Sequence, residues 1–344
     1  MVLRSIHSIV ALVLMATVAH AQQLAWWGQS IETTNSFVTT WELAGADTVK
    51  LPFRNYSVFD CTVEWGDGSA NSTITTWDDA DKTHSYASGG TYQVVINGTM
   101  GNFYFNNGGD VLLLKTVEQW GDVNIHATGF SHAFFGCANL TSVPYEFPWT
   151  HLTSIVYAFY GCTSWTGPMP DISGCTNLSN ARFICYNCAN LEGAVVDLGV
   201  FPSLTDARSA YGYNYKITSG LTTVIPPSCT TFQGTYAGNH LLVGDVSAIT
   251  NSVSCTYFEA QDANVLTYES TGGMLSTNVP NGYIFNMSGC NLIADHVNNI
   301  LVDLDTSGAT NGTCTLAGDN AAPTGAGVTA FSSLTNKTWT VTVN

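Results

Sequence analysis

The sequence predicts a mainly β protein: a β-sandwich, then a stack of short repeats, closed by a small α/β module. Two observations carry that prediction. Between residues 37 and 105 apolar positions alternate with polar ones, as in Val63/Trp65 and Tyr92/Val94/Ile96, which is the period of half-buried strands. From residue 133 a phrase recurs: "AFFGCANL" at 133–140 returns as "AFYGCTSW" at 158–165, so that Cys162 follows Cys137 by 25 residues. A fixed period of that size marks stacked units, each unable to bury its apolar face alone.

The first residues read as an export signal. Arg4 and His7 precede an apolar run from Ile9 to Val18, which leads into Ala19-His20-Ala21, an order typical of a secretory signal peptide with an A-x-A cleavage site. The run is about half the ~20 residues a membrane span needs. Cleavage is expected after Ala21, leaving a mature chain from Gln22 that is extracellular or bound to the cell surface, with no transmembrane span.

Charge narrows the partners. Lys and Arg number 9 against 25 Asp and Glu, a formal net charge of −16. Nucleic acid and anionic membranes are recognised by basic clusters, so neither is an expected partner. With 45% hydrophobic and 12% aromatic residues, the chain has ample material for a core.

The segment 22–108 is expected to be one domain. "FVTTWEL", "CTVEWGDGS" and "THSYASGGTYQVVINGT" read as strands, with Gly66-Asp67-Gly68 as a turn. The pattern W-G-D-G-S … H-x-Y-x-x-x-G-x-Y-x-V resembles the polycystic-kidney-disease-type (PKD) domain, an immunoglobulin-like β-sandwich, over roughly 70 residues, with Gly89 where that family often has Pro. The resemblance implies a structural role for Asp67, accepting backbone hydrogen bonds in the turn. "WDDAD" at 77–81 lacks the Gly and distal Glu of a calcium loop and reads as a solvated acidic turn.

Repeats are expected over 109–292. "FICYNCANLEGAVV" (183–196) is a third clear copy, and looser ones begin at 209, 235, 259 and 284. The Phe and Leu of each copy are expected in the core, its Asn bonded to backbone of the neighbouring unit, and its "LTSV"-like stretch in a parallel strand. Pattern and period resemble the BspA-like leucine-rich repeats of bacterial surface antigens, a group in which PKD-like domains also occur. That likeness implies an irregular leucine-rich-repeat solenoid. Cys137, Cys162 and Cys188 then form a structural ladder of small buried residues. Free thiols are the expectation, with a disulfide between adjacent rungs as the alternative. Cys185 and Cys188 form the chain's single C-x-x-C, so no zinc site is expected.

Residues 293–344 are expected to cap the stack. Ile293, Val297, Ile300, Leu301 and Leu304 fall on one helical face that ends at Gly308. "GTCTL" reads as a strand, "APTGAGVTAFSSL" as a loop and helix, and "KTWTVTVN" as the last strand. This module is similar to one on bacterial and phage-encoded repeat proteins, where Gly often stands at the position of Thr338.

No nucleophile elbow, zincin, Walker or dinucleotide motif is present. His126, His132 and His151 share no spacing with a nucleophile, and paired carboxylates are a property of the fold. The expectation is a non-catalytic binding or adhesion protein with no cofactor and no metal. Its ligand would be a protein or glycan at a cell surface or in the extracellular matrix. The alternative is a self-associating subunit of an extracellular fibre or a phage-derived tail or receptor-binding component. Candidate binding residues are Tyr145, Trp149, Trp165, Tyr211, Tyr213 and Tyr215, since aromatics are enriched at binding surfaces. The competing reading puts these rings in the core. Tyr211, Tyr213 and Tyr215 share one face if their segment is a strand and diverge if it is a turn. Eight Asn-x-Ser/Thr sequons, at Asn55, Asn71, Asn97, Asn139, Asn177, Asn286, Asn311 and Asn336, matter only in a glycosylating host.

Overall fold

The structure, a computed structural model, describes residues 35–55 and 58–344. The expected signal peptide and its cleavage site lie outside these residues. Asn35–Asn344 is one compact unit, built mostly of strands, with two α-helices among the described residues.

The N-terminal part contains β1 (Phe37–Leu43), β2 (Asp47–Lys50), β3 (Asp60–Glu64), β4 (Ser72–Ile74), β5 (Thr83–Tyr86), β6 (Gly90–Gly101), β7 (Leu114–Gln119) and β8 (Asn124–Ile125). The main sheet runs β4-β3-β6-β1-β7, with β8 joined to β6, while β2 and β5 form a separate pair. The alternation read from the sequence holds at Val63 and Trp65, which are buried, whereas in β6 Val94, Val95 and Ile96 are all buried and Tyr92 is half-buried. The 66–68 turn is held by Asp67, whose Oδ1 accepts from the Ser69 amide at 3.0 Å and whose Oδ2 meets His84 Nε2 at 2.8 Å. These bonds, Ser69 first and His84 next, hold the Asp67 carboxyl well below the usual carboxylate range. In the 77–81 segment Asp79 caps a short 3₁₀ turn through the Asp81 amide.

The sheet does not stop at 108, where the domain boundary was expected. β7 pairs antiparallel with β1, and β8 pairs with β6. The packing is equally continuous. Phe37 of β1 lies 5.2 Å from Phe103 and 6.2 Å from Trp149, and Trp120 lies 5.7 Å from Phe130. Rings from the sheet thus fill the same core as rings from the segment after it.

Beyond β8 the chain returns on itself about every 26 residues. Single parallel bridges join Ser154 to Asn180, Asn180 to Asp206 and Asp206 to Thr231. The column continues through Thr231–Phe232, Tyr257–Glu259, Ile284–Asn286, Thr313–Thr315 and Thr340–Thr342, all parallel. Behind it, Ile155, Ala181, Ala207, Phe232, Phe258, Phe285 and Cys314 are buried. Beside it, the hydroxyls of Ser179, Thr205, Thr230 and Thr256 each donate to the carbonyl of the Ser or Thr one pass earlier, at 2.8–3.2 Å.

A second column explains the recurring cysteine. The thiols of Cys162, Cys188 and Cys290 donate to the carbonyls of Phe134, Phe159 and Ala260, each in the preceding pass. Asn214, Asn239 and Asn320 occupy the same place in other passes. Their Nδ2 groups donate to the carbonyls of Cys185, Tyr211 and Met287 at 2.7, 3.0 and 2.8 Å. Their Oδ1 atoms accept the amides of Cys188, Asn214 and Cys290 at 2.9, 3.0 and 3.1 Å. Asn214 and Asn239 are fully buried and Asn320 nearly so. Cys and Asn are therefore two solutions to one problem, a short buried donor aimed at the previous pass. All ten cysteines are free and buried. The Asn of the Cys-x-Asn-Leu phrase works similarly at Asn139 and Asn190, which donate to Leu112 and Thr163 carbonyls at 2.8 Å, whereas Asn177 is exposed.

The C-terminal module contains α1 (Ala294–Ser307) and α2 (Gly325–Asn336). Val297, Ile300, Leu301 and Leu304 are buried as the spacing requires, and Gly308 closes α1 at φ 76°. Ile293 departs from the predicted face: it is the N-cap residue, 56% exposed. Asp303 lies on the buried face, its Oδ2 accepting from Tyr268 Oη at 2.7 Å and its two oxygens from the Gly272 and Gly273 amides.

Two outcomes follow for stability. Asn214→Ala should cost about 2–4 kcal/mol, since it strands buried backbone groups in two passes, while Asn177→Ala should stay within about 0.5 kcal/mol; urea midpoints of the two variants test the contrast. Burial raises the thiols of Cys61, Cys175, Cys229 and Cys290 to about 12 and that of Cys255 to about 11. Unfolded thiols ionise near ~8.5, so above that pH the unfolded state has lost protons that the folded state still holds, and stability falls with pH. The urea midpoint, measured under reductant, should be level from pH 6 to 8 and drop from about pH 9 upward.

Candidate binding surface

Each pass between residues 131 and 238 makes the same tight turn, with left-handed backbone at two positions four residues apart. The first position is His132, Tyr157, Phe183, Ser209 and Gly234, and the second is Gly136, Gly161, Asn187, Tyr213 and Gly238. Left-handed φ costs an L side chain roughly 1–2 kcal/mol, and β-branched and aromatic residues are unusual there. Three of the first five positions nonetheless carry a ring. That concentration of backbone strain on one kind of side chain draws attention to the surface these rings form.

They form two parallel tracks of half-buried rings. In one, Tyr104, His132, Tyr157 and Phe183 follow at centroid spacings of 5.3, 5.0 and 4.8 Å. In the other, Phe135, Tyr160, Tyr186 and Tyr213 follow at 4.8, 5.0 and 5.3 Å. Cross-contacts such as Tyr157–Tyr160 at 5.5 Å and Phe183–Tyr186 at 5.4 Å knit the tracks into one stripe. The spacing is that of the stacked passes, because neighbouring strands lie ~4.8 Å apart. At the fourth pass Gly212 replaces the second-track ring. A Cβ there would sit 3.1 Å from the Tyr186 ring, and Tyr213, one residue on, takes over the contact.

Arginine gathers at this stripe. Arg54, Arg182 and Arg208 are the chain's only arginines besides Arg4. The Arg54 guanidinium lies 3.9 Å over the Tyr104 ring and that of Arg182 lies 5.6 Å over Phe183. Arg208 holds Asp206 through Nε at 3.0 Å and Nη2 at 2.5 Å, and Arg182 Nε stands 3.6 Å from the same carboxylate. Hydrogen bonding to Asp206 raises the Arg208 pKa further. Burial, with Arg54 nearby, lowers that of His132, and its buried Nδ1 has no hydrogen-bond partner among the described residues.

The six residues picked from the sequence are scattered, and three are corrected. Trp149, Trp165 and Tyr211 are core residues at 3, 1 and 0% exposure. Trp149 donates to the Val123 carbonyl, Trp165 packs 4.9 Å from Phe159, and Tyr211 donates to the Val196 carbonyl. Tyr145 (53%) and Tyr215 (42%) are exposed, the latter 5.2 Å from His240, and neither contacts a ring of the stripe. Only Tyr213 belongs to the stripe. The "YGYNY" segment is a turn ending in a strand at Lys216, so its three rings point in three directions. The stripe had a sequence signal: the second aromatic of "AFFGC" and "AFYGC", and the ring three residues before it.

Among the described residues no group of three or more His, Cys, Asp or Glu side chains could hold a metal ion, and no helix is long and apolar enough to cross a membrane. In comparisons with known proteins, the chain matches no family model, no curated protein and no solved structure.

Core and stripe differ in what a substitution does. Phe159→Ala should cost about 3–5 kcal/mol. Tyr157→Gly relieves a left-handed backbone worth roughly 1–2 kcal/mol while losing ring contacts with His132, Phe135, Tyr160 and Phe183 of about 0.5–1.5 kcal/mol each. The relief offsets part of that loss, so thermal unfolding should show a net cost smaller than that of Phe159→Ala.

Proposed function

We propose that this chain is a secreted or cell-surface, non-catalytic binding protein that engages its ligand through the aromatic stripe. In this reading the parallel passes are a BspA-like leucine-rich-repeat solenoid, and the N-terminal sheet with its Asp67 turn is a PKD-like sandwich built onto it. The observation that carries the proposal is the placement of seven Tyr, Phe and His rings, from His132 to Tyr213, half-buried on successive passes, four of them (His132, Tyr157, Phe183 and Tyr213) at left-handed backbone positions. A protein that needed those rings only for packing would bury them, as it buries Phe134 and Phe159. Aromatic clusters of this kind supply contact area at low entropic cost. The export signal read from the first 21 residues supports an extracellular setting.

The alternative, a self-associating fibre subunit, finds support in Thr340–Thr342, which ends its sheet and is paired on one side only; an open strand edge is a template for a further strand. A screen of the mature chain against immobilised glycans and matrix proteins, with Tyr157→Ala/Tyr160→Ala/Tyr186→Ala alongside, tests the first reading. The triple variant should keep the fold and lose the ligand. Unchanged binding by that variant overturns the assignment to the stripe. Sedimentation showing concentration-dependent oligomers would favour the fibre reading.

A further inference from the structure

We infer that the stripe takes a linear, β-linked polysaccharide bearing carboxylates, lying along the stack with one sugar per pass. The inference rests on the binding role proposed above and specifies its ligand.

The first argument is the repeat. Ring centroids advance by 4.8–5.3 Å per pass on both tracks. Covalent dimensions give an extended β-1,4-linked hexose chain a repeat of ~5 Å, whereas an extended peptide returns a side chain to the same face only every ~6.6 Å. Over four passes a sugar chain stays in register with the rings, while a peptide slips by more than one ring.

The second argument is which part of each ring is on offer. His132–Tyr157, Tyr157–Phe183 and Tyr160–Tyr186 are stacked at interplanar angles of 22, 20 and 13°. Their faces are occupied by one another, so the ligand meets ring edges. The Tyr157, Tyr160 and Tyr186 rings are half-buried, and among the described residues no hydrogen bond engages their hydroxyls. A row of hydroxyls, each both donor and acceptor, repeating at the sugar spacing, suits a polymer that is itself a row of hydroxyls.

The third argument is charge. In a chain of net charge −16, every arginine outside the first 21 residues flanks this stripe. Arg182 and Arg208 share the one carboxylate of Asp206, which leaves a positive charge in excess within that group. Guanidinium groups so placed recognise carboxylates. The surrounding acidity weakens long-range attraction of an anion, so the pairing that the stripe offers is short-range, from a guanidinium to the sugar carboxylate beside it.

The test is calorimetric titration of the intact mature chain with three probes of equal length: β-1,4-linked oligomannuronate, cellohexaose and hexaglutamate. Oligomannuronate should bind at least about tenfold tighter than cellohexaose, and hexaglutamate weakest. Arg182→Gln should bring the two sugar affinities together without weakening cellohexaose, and Tyr160→Ala should weaken both. Equal affinity for the two sugars, unmoved by Arg182→Gln, overturns the role of carboxylates. Tighter binding of hexaglutamate overturns the polysaccharide. If no sugar binds while the triple tyrosine variant loses a protein ligand in the screen, this inference falls and the binding role stands.

Discussion

The stack depends on one recurring interaction: a short buried side chain that donates a hydrogen bond to a main-chain carbonyl of the pass before it. Tight polar turns leave backbone groups inside the molecule, and an unpaired buried amide or carbonyl costs about as much as a whole ordinary hydrogen bond contributes. Cys162, Cys188 and Cys290 meet this need weakly through S–H, and Asn214, Asn239 and Asn320 meet it on both sides, accepting from an amide as well. Without that column the turns could not lie over one another. The aromatic stripe is carried by the same turns, so its spacing is inherited from this bond.

Much of this was legible. Period-2 alternation located β3 and β6, helical spacing located α1, and the Phe-x-x-Cys phrase located the first two passes with their buried Phe134 and Phe159, while in the third Cys185 stands where those rings do. The column itself was only half visible, because Cys and Asn look unrelated as letters. "YGYNY" and "AGNHLL" carry the Asn where "AFFGC" carries Cys, and the equivalence is one of hydrogen-bond donors in a given direction. The same blindness affected the termini of elements: nothing in the text marks Ile293 as a cap residue instead of the first member of the helical stripe.

Side-chain direction was the larger loss. A strand or helix converts spacing into a face, but a turn with two left-handed residues does not. Trp149 and Trp165 looked like surface aromatics in turns, yet Trp149 is drawn inward against Phe37 of the sheet and Trp165 against Phe159. Phe183 was expected in the core with the other Phe of the repeat, yet it stands half-buried at positive φ, as do His132 and Tyr157. The chain also hides how closely its parts are joined. A boundary at residue 108 is reasonable from composition, and it misses that β7 and β8 come from beyond it and complete the first sheet.

The ten free thiols have a consequence for how such a chain must mature. Once folded, each is buried, and burial raises every thiol but that of Cys188 above its ordinary range, towards the unreactive neutral form. Before folding all ten are exposed, and any two that met an oxidant would form a cross-link that fixes the wrong passes together. In an oxidising compartment the chain is therefore in a race between compaction and oxidation. Its local connectivity favours compaction, because each pass contacts the one made just before it and contacts of short range close fastest. The sulfur atoms that order the native stack are also the reason it has to be assembled quickly.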